Sequence, residues 1–172
     1  ALPAGEMYSY LTGEPVSEII GKQRPYAIMI NNIEASLPQS GVSQAEMIYE
    51  AQVESGITRL MAVFQDVDNI EKIGSIRSAR HYYIDFANDN DAIYVHYGQS
   101  KYALSRIEDD NIMTIHGLSG YESKVFYRSS DRKAPHNVYT TGKMLAEGLE
   151  VTGLTRDYPE GYTPRLQFNH AD

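Results

Sequence analysis

The sequence predicts an α+β fold with a mixed sheet that contains an antiparallel hairpin and at least one strand-turn-helix unit. Three observations support this class. Residues 26–30 form a short apolar run, residues 47–65 alternate with the period of a strand, and residues 92–109 contain a strand pattern, a glycine and a helical pattern. The hairpin argues against a purely doubly wound parallel sheet.

Composition sets the broad class of the protein. The 172 residues suffice for one domain with its own core, and 42% hydrophobic and 22% charged residues are typical of globular proteins. A net charge of -8 with no run of Lys or Arg argues against nucleic-acid binding. The absence of cysteine excludes disulfides, thiolate nucleophiles and cysteine-bound zinc. We expect no transmembrane span and no signal peptide in this chain.

The first two elements are an arm and a strand. Residues 1–22 contain scattered apolar residues and turn formers, and we expect an irregular N-terminal arm. The apolar run at 26–30 ends at Asn31 and fits a strand buried on both faces.

The hairpin is the clearest pattern in the chain. Met47, Tyr49 and Ala51 alternate with a mostly polar face, and Ser55-Gly56 supplies a two-residue turn before the returning strand. This register predicts that Glu54 lies opposite Ile57 and that Gln52 lies opposite Arg59.

Three helices are predicted further along the chain, each from a candidate N-cap residue at its start. Ser78 is a candidate N-cap for a helix at 79–89, Ser100 for a helix at 100–109, and Thr140 or Thr141 for a helix that reaches about Leu149. A strand at 92–97 precedes the second helix. Residues 127–137 predict a long loop, and residues 158–172 a linker or frayed end. The domain itself is expected to cover residues 23–157.

Several of these segments together resemble the N-terminal domain of the YerB-like bacterial lipoproteins, a family without an established biochemical role. The segments are LTGEPV at 11–16, PQSGVSQA at 38–45, YEAQVESGITR at 49–59, GSIRSAR at 74–80, YVHYG at 94–98 and RKAPHNVY at 132–139. The resemblance implies an exported protein, anchored through a lipidated cysteine on the outer face of the cytoplasmic membrane and joined to a C-terminal domain. The chain has no cysteine and stops soon after Phe168, so we expect a trimmed fragment, with membrane contact only through an anchor that it lacks.

The first candidate site lies on one face of the predicted hairpin. Glu50, Gln52, Glu54 and Arg59 share that face in the predicted register and could serve as acid, base or cation ligands. The alternative is a solvated sheet face with ion pairs worth about 0.2–1 kcal/mol.

A second candidate is an anion site at the predicted helix start. Arg77 and Arg80 flank Ser78, where unpaired N–H groups and the helix dipole favour negative charge. Guanidinium groups add paired donors that suit phosphate or carboxylate. The alternative is that these arginines pair with the protein's own acids, Glu50 and Glu54 included.

Two histidines complete the candidate cleft. His96 precedes Gly98 at the end of a strand, the edge at which open α/β sheets bind ligands. His136 lies in a polar loop with Arg132 and Asn137, and we expect Asp131 or Asn137 to orient its ring. The alternative is a structural role for both histidines. His96, His116 and His136 are spaced by twenty positions each, a spacing that matches no metal motif, and we predict neither a metal nor a cofactor.

No nucleophile elbow, phosphate loop or dinucleotide fingerprint occurs, so the sequence supports no particular reaction. We therefore interpret the chain as an extracytoplasmic binding module. It would recognise an anionic small molecule, an anionic envelope component or a protein partner through one cleft that contains the hairpin carboxylates, the arginines and His96. The alternative is a hydrolase or transferase that uses the same residues on an anionic envelope substrate. The candidates for catalysis are His96, His136, Glu50 and Glu54, and those for ligand binding are Arg59, Arg77, Ser78, Arg80, Arg132 and Asn137.

Overall fold

The computed structural model describes residues 2–169 of the chain. Within them, ten strands and five helices are present. The strands are β1 (Glu6–Tyr8), β2 (Pro15–Ser17), β3 (Tyr26–Asn31), β4 (Met47–Gln52), β5 (Thr58–Phe64), β6 (Ile73–Gly74), β7 (Ile93–His96), β8 (Thr114–His116), β9 (Tyr127–Arg128) and β10 (Val138–Thr140). The helices are α1 (Glu18–Gly21), α2 (His81–Asp89), α3 (Lys101–Asp109), α4 (Glu122–Val125) and α5 (Gly142–Thr152).

The central sheet is mixed, as predicted. Its five strands lie in the order β4-β5-β3-β7-β8, with antiparallel pairing from β4 to β3 and parallel pairing from β3 to β8. All six residues of β3 are buried because the strand is covered on both faces. Smaller antiparallel sheets pair β1 with β2 and order three strands as β6-β10-β9.

Two hydrophobic clusters cover the faces of this sheet. Ile28 and Ile30 of β3 belong to one cluster, together with Leu145 of α5. Ala27 and Met29 alternate with them and belong to the other, which includes residues of α2 and α3. The alternation of β3 side chains therefore divides one strand between two cores.

The hairpin exists, but its predicted register is wrong by one residue. Residues 53–57 connect β4 to β5 through a short 3-10 turn at Glu54–Gly56, instead of a two-residue turn at Ser55-Gly56. Gln52 lies opposite Thr58, and Ala51 lies opposite Arg59. Because strand side chains alternate between faces, this shift places Arg59 on the opposite face from Glu50 and Gln52.

Two of the three predicted caps are confirmed. Ser100 accepts a hydrogen bond from the Ala103 amide at the start of α3, and Thr141 accepts one from the Met144 amide at the start of α5. Ser78 does not cap α2, which begins at His81 after Arg80. Residues 76–79 run between β3 and β7 instead of entering the helix.

The described residues of the N-terminal arm and of the C-terminal segment form more regular contacts than the sequence suggests. The arm predicted to be irregular forms the β1–β2 pair and α1, with Ala1 outside the described residues. In the predicted linker, the rings of Tyr158 and Tyr162 stack 3.9 Å apart, and both contact Tyr10. The segment 158–169 therefore packs on the arm; residues 170–172 lie outside the description. The boundaries of the domain at 23 and 157 stay a prediction.

None of the helices in the described residues has the length and apolar character needed to cross a membrane.

Candidate functional site

The candidate site lies where β3 and β7 separate at their carboxyl ends. The two strands pair in parallel up to Ile28 and Val95, and residues 76–79 then run between them. The Arg77 amide donates to the Met29 carbonyl at 3.0 Å, and the Tyr97 amide donates to the Arg77 carbonyl at 3.1 Å. Open sheets with parallel strands bind ligands at this edge. We call the side chains gathered here the strand-end site: Asn31, Arg59, Arg77, Arg80 and His136.

Arg59 is a buried cation of this site. It is 4% exposed, and its Nη1 donates to the Ser78 carbonyl at 2.6 Å. Burial, together with the charges of Arg80 and Arg77, lowers the pKa of Arg59 to about 10, so the group stays charged at neutral pH. No carboxylate forms an ion pair with Arg59 anywhere in residues 2–169.

Arg80 is the arginine of the site that has a carboxylate partner. Its Nε and Nη2 donate to the two oxygens of Glu54 at 2.7 and 2.8 Å. The hydrogen bond from Arg80 holds the pKa of Glu54 at about 2, so Glu54 is ionised at neutral pH. The alternative interpretation of the arginines, pairing with internal acids, thus holds for Arg80.

Arg77 lies between these groups and the loop that carries His136. Its Nη1 donates to the Pro135 carbonyl at 3.2 Å, and its buried Nε has no hydrogen-bond partner in the described part of the chain. Burial and the charge of Arg80 lower the pKa of Arg77. Arg59, Arg77 and Arg80 therefore place three positive charges within electrostatic reach of one another, and only one carboxylate of the described chain, Glu54, pairs with them.

His136 joins the site through Asn31. Asn31 Nδ2 lies 2.9 Å from His136 Nδ1, and Asn31 is 3% exposed. Because the amide nitrogen can only donate, Nδ1 is the acceptor and Nε2 carries the proton. Burial, followed by the charge of Arg77, lowers the pKa of His136, and both effects favour the neutral ring.

The orienting partner predicted for His136 was wrong. Asp131 forms an ion pair with Lys72 at 3.3 Å, and Asn137 accepts a hydrogen bond from Arg128 at 2.8 Å. Neither side chain hydrogen-bonds to the His136 ring. The partner is instead a residue at the end of the central strand.

His96 does not belong to the strand-end site, contrary to the sequence-based expectation. It is 1% exposed, Nδ1 donates to the Gly98 carbonyl at 2.8 Å, and Nε2 lies 2.9 Å from Thr114 Oγ1. Because the carbonyl can only accept, Nδ1 carries the proton, and Nε2 is an acceptor beside the Thr114 hydroxyl, which also lies 2.9 Å from the Tyr94 carbonyl. Burial lowers the pKa of His96 to about 3, so the ring is neutral. Both nitrogens are occupied, which indicates a structural role.

Glu50 lies beside the strand end on the other face of the hairpin from Arg59. Its Oε1 accepts hydrogen bonds from Asn32 Nδ2 at 3.2 Å and from Thr58 Oγ1 at 2.5 Å. Gln39 Nε2 donates to Asn32 Oδ1 at 3.0 Å. Four residues of this region were not predicted as site residues: Asn31, Asn32, Gln39 and Thr58. The available signal was the pair of asparagines directly after a fully apolar strand.

Three other predicted ligand-binding residues hold the backbone in place instead. Arg132 donates to the carbonyls of Ser36 and Pro38 and links two loops. Asn137 is 8% exposed, and its Nδ2 donates to the Ser129 carbonyl at 3.1 Å. Ser78 contributes its carbonyl to Arg59, not a helix cap.

The described residues contain no group of three or more His, Cys, Asp or Glu side chains suited to a metal ion. A cavity of about 350 Å³ lies at the opposite end of β3, lined by residues that include Tyr26, Leu149 and Arg156. None of the residues of the strand-end site lines that cavity.

A match to a known protein-family model identifies the family of this chain. The family model described as "Protein of unknown function (DUF3048) N-terminal domain" matches residues 11–155. The chain belongs to the DUF3048 family. The DUF3048 match includes every residue of the strand-end site, from Asn31 to His136.

A sequence match and a structural match both involve YerB of Bacillus subtilis. The chain is 35% identical over 150 residues to a protein of Bacillus subtilis (strain 168) named "Putative lipoprotein YerB", covering 87% of this chain and 45% of the relative. The crystal structure of YerB from Bacillus subtilis superposes with a TM-score of 0.81 at 34% identity, covering 88% of this chain and 52% of that one. The chain thus spans about half the length of its relative. Membership of the family and the mixed α+β fold are confirmed, and the relative is named as a lipoprotein.

Proposed function

We propose that this DUF3048 domain binds an anionic ligand at the strand-end site. The observation that carries the proposal is an excess of positive charge at the site. Arg59 lies close enough to Arg77 and Arg80 for their charges to lower its pKa, and Arg80 also lowers the pKa of Arg77. Among the described residues, Glu54 is the only carboxylate that forms an ion pair with these arginines. Arg59 is buried and Arg77 and Arg80 are half-buried, so their like charges repel, and an anion between them would relieve that repulsion. Arg77 also has a buried donor, Nε, with no partner in the described chain.

The position in the sheet supports the same function. The arginines lie at the carboxyl ends of the parallel strands, and the first turn of α2 begins directly after Arg80. Helix N-termini present free N–H groups and a positive dipole. The neutral His136 adds one N–H donor at Nε2.

The second candidate, a hydrolase or transferase on an anionic envelope substrate, has less support. Glu54 is ionised in its pair with Arg80, and both nitrogens of His96 are occupied. An enzyme would have to rely on His136 and Glu50, which extend to different parts of the strand end. A binding protein needs only the donors already described.

The relative's name supports a function outside the cytoplasm. Because that protein is named as a lipoprotein, we propose that this domain also acts outside the cytoplasmic membrane, on an anionic envelope component or a protein partner. The residues matched in the relative make up about half of its length, so a second domain is part of this proposal.

A titration with inorganic sulfate, followed by NMR of the arginine Nε–H groups, tests the proposal. We expect saturable shifts of Arg77, and Arg77→Gln should weaken sulfate binding about tenfold. Arg165→Gln makes the same change of charge on the C-terminal segment, where Arg165 pairs with Asp89. It should leave the affinity unchanged. Equal losses in both variants would indicate nonspecific attraction and contradict the proposal.

Catalysis is tested with His136→Ala. Loss of turnover of an anionic envelope substrate with sulfate binding intact would favour the enzyme. Loss of binding, with no turnover in the unmodified protein, would favour the binding module.

A further inference from the structure

A second group of polar side chains lies at the end of β3, on the other face of the hairpin from Arg59. Glu50 accepts its two hydrogen bonds, from Asn32 and Thr58, at Oε1. Its other oxygen, Oε2, makes no hydrogen bond to any described residue. The Glu50 side chain is exposed, so Oε2 is an oriented acceptor that a ligand can reach.

Gln39 provides a second acceptor in the same place. Its Nε2 donates to the Asn31 carbonyl at 3.3 Å and to Asn32 Oδ1 at 3.0 Å. These bonds fix the amide and leave Oε1 without a hydrogen bond within residues 2–169. We call Gln39 Oε1 and Glu50 Oε2 the acceptor rim.

An acceptor rim beside a cationic site restricts the chemistry of the ligand. Sulfate offers only acceptor oxygens, so it cannot bond to the rim, and the Glu50 charge repels it. A hydroxyl group can donate to either rim atom, and its bond to a carboxylate is charge-assisted. A ligand that uses both parts of the strand end therefore carries an anionic group and hydroxyl groups.

The geometry of β3 also restricts the size of the ligand. Asn31 contacts His136 beside Arg77, whereas Asn32 contacts Glu50. Arg59 pairs with Asn31 on β3 and with Ala51 on β4, so Arg59 and Glu50, the neighbour of Ala51, lie on opposite faces of the sheet. A molecule that reaches both groups must cross the end of the strand, which a single small ion cannot do.

We infer that the ligand is an anionic saccharide. Its carboxylate or phosphate group lies at Arg77 and His136, and its neighbouring hydroxyls donate to Glu50 Oε2 and Gln39 Oε1. This inference rests on the proposed anion site and adds the class of ligand. An amino acid, whose ammonium group also suits Glu50, is the competing chemistry, and the test separates the two.

Calorimetric titrations with acetate, glucuronate, glycine and glucose test the inference. Acetate supplies a carboxylate, glucuronate adds hydroxyls, glycine adds an ammonium group, and glucose has hydroxyls without the charge. We expect glucuronate to bind about tenfold more tightly than acetate, and glycine and glucose to bind more weakly than glucuronate.

Variants of β4 test the role of the rim. Glu50→Ala and the more conservative Glu50→Gln should reduce the preference for glucuronate over acetate to about threefold or less, without weakening acetate binding. Gln52→Ala is the matched control, because Gln52 is also exposed on β4 and faces the same side as Glu50. It should keep the full preference. Circular dichroism confirms that each variant is folded.

The outcomes separate the two proposals. If acetate binds and glucuronate binds no more tightly, the saccharide inference is wrong and the anion site remains. If glycine binds more tightly than glucuronate, the ligand is zwitterionic and the inference is also wrong. A preference that survives in both Glu50 variants contradicts the role of the rim. If none of the anions binds, the saccharide inference and the proposed function both fail.

Discussion

Arg80 and Glu54 form a bidentate ion pair, with Nε donating to Oε1 at 2.7 Å and Nη2 donating to Oε2 at 2.8 Å. Arg80 precedes α2, and Glu54 belongs to the connection between β4 and β5. The pair therefore joins the hairpin to the edge at which the arginines gather. In the strand-end site, Glu54 occupies the donors of Arg80 that an anionic ligand would use.

Removal of the Glu54 charge should strengthen anion binding. Glu54→Gln weakens the pair with Arg80 and removes a negative charge from the site, so we expect sulfate to bind about threefold to tenfold more tightly. Glu150→Gln makes the same change of charge on the exposed side of α5 and should have no effect. Parallel titrations of the two variants measure the difference. Unchanged or weaker binding by Glu54→Gln would show that Arg80 does not contribute to the site.

Anion binding should become tighter as the pH falls and His136 becomes protonated. Burial and Arg77 lower the pKa of His136 in the free domain, whereas a bound anion beside the ring raises it. The complex then binds more protons than the free protein, so the dissociation constant should decrease as the pH falls through and below 6.5, the ordinary pKa of histidine.

The dissociation constant for sulfate, measured across this range, checks the direction. His136→Ala should remove most of the pH dependence, and His116→Gln, which changes a histidine on β8, should retain it. A slope of the opposite sign would mean that His136 does not face the ligand.

Replacement of Arg59 should weaken sulfate binding and leave the domain folded. Arg59 is a buried cation without a carboxylate partner among the described residues, and Arg77 and Arg80 repel it. Arg59→Met fills a similar volume and removes a buried charge, but it leaves the Ser78 carbonyl without this hydrogen bond, so the free energy of unfolding should fall by no more than about 1–2 kcal/mol. Sulfate affinity should fall about fivefold.

Urea denaturation and a sulfate titration on the same Arg59→Met protein give the two values. A loss of more than about 3 kcal/mol would instead identify Arg59 as a residue that the fold requires.

His96 should be required for stability and not for binding. The ring is buried, and each of its nitrogens has a partner, so His96→Ala leaves a cavity and removes two hydrogen bonds. We expect the free energy of unfolding to fall by about 2–4 kcal/mol, with sulfate affinity unchanged in the folded variant. A loss of sulfate binding without a loss of stability would instead show that His96 takes part in binding.

The same histidine should make the domain sensitive to acid. The folded-state pKa of about 3 lies below the ordinary value of 6.5, so the unfolded chain binds the proton more readily. This contribution to stability is complete above pH 6.5 and is lost as the pH falls from 6.5 towards 3. The slope of unfolding free energy against pH should be smaller in His96→Ala than in the unmodified protein.

Much of the fold follows from short-range patterns in the sequence. The apolar run of β3, the alternation in β4 and the caps Ser100 and Thr141 all depend on neighbours within a few positions. Each of these predictions is confirmed because side-chain periodicity and capping act locally. Four of the five residues of the strand-end site, all except Asn31, were also candidates from the sequence.

The arrangement of the site depended on contacts between distant parts of the chain. The hairpin register, shifted by one residue, decided that Arg59 faces away from Glu50. Asn31 and His136, 105 positions apart, meet because a loop folds back over the strand end. His96 was buried by packing that its strand pattern does not reveal. Local periodicity determined which segments form strands and helices, whereas packing between segments determined which side chains meet.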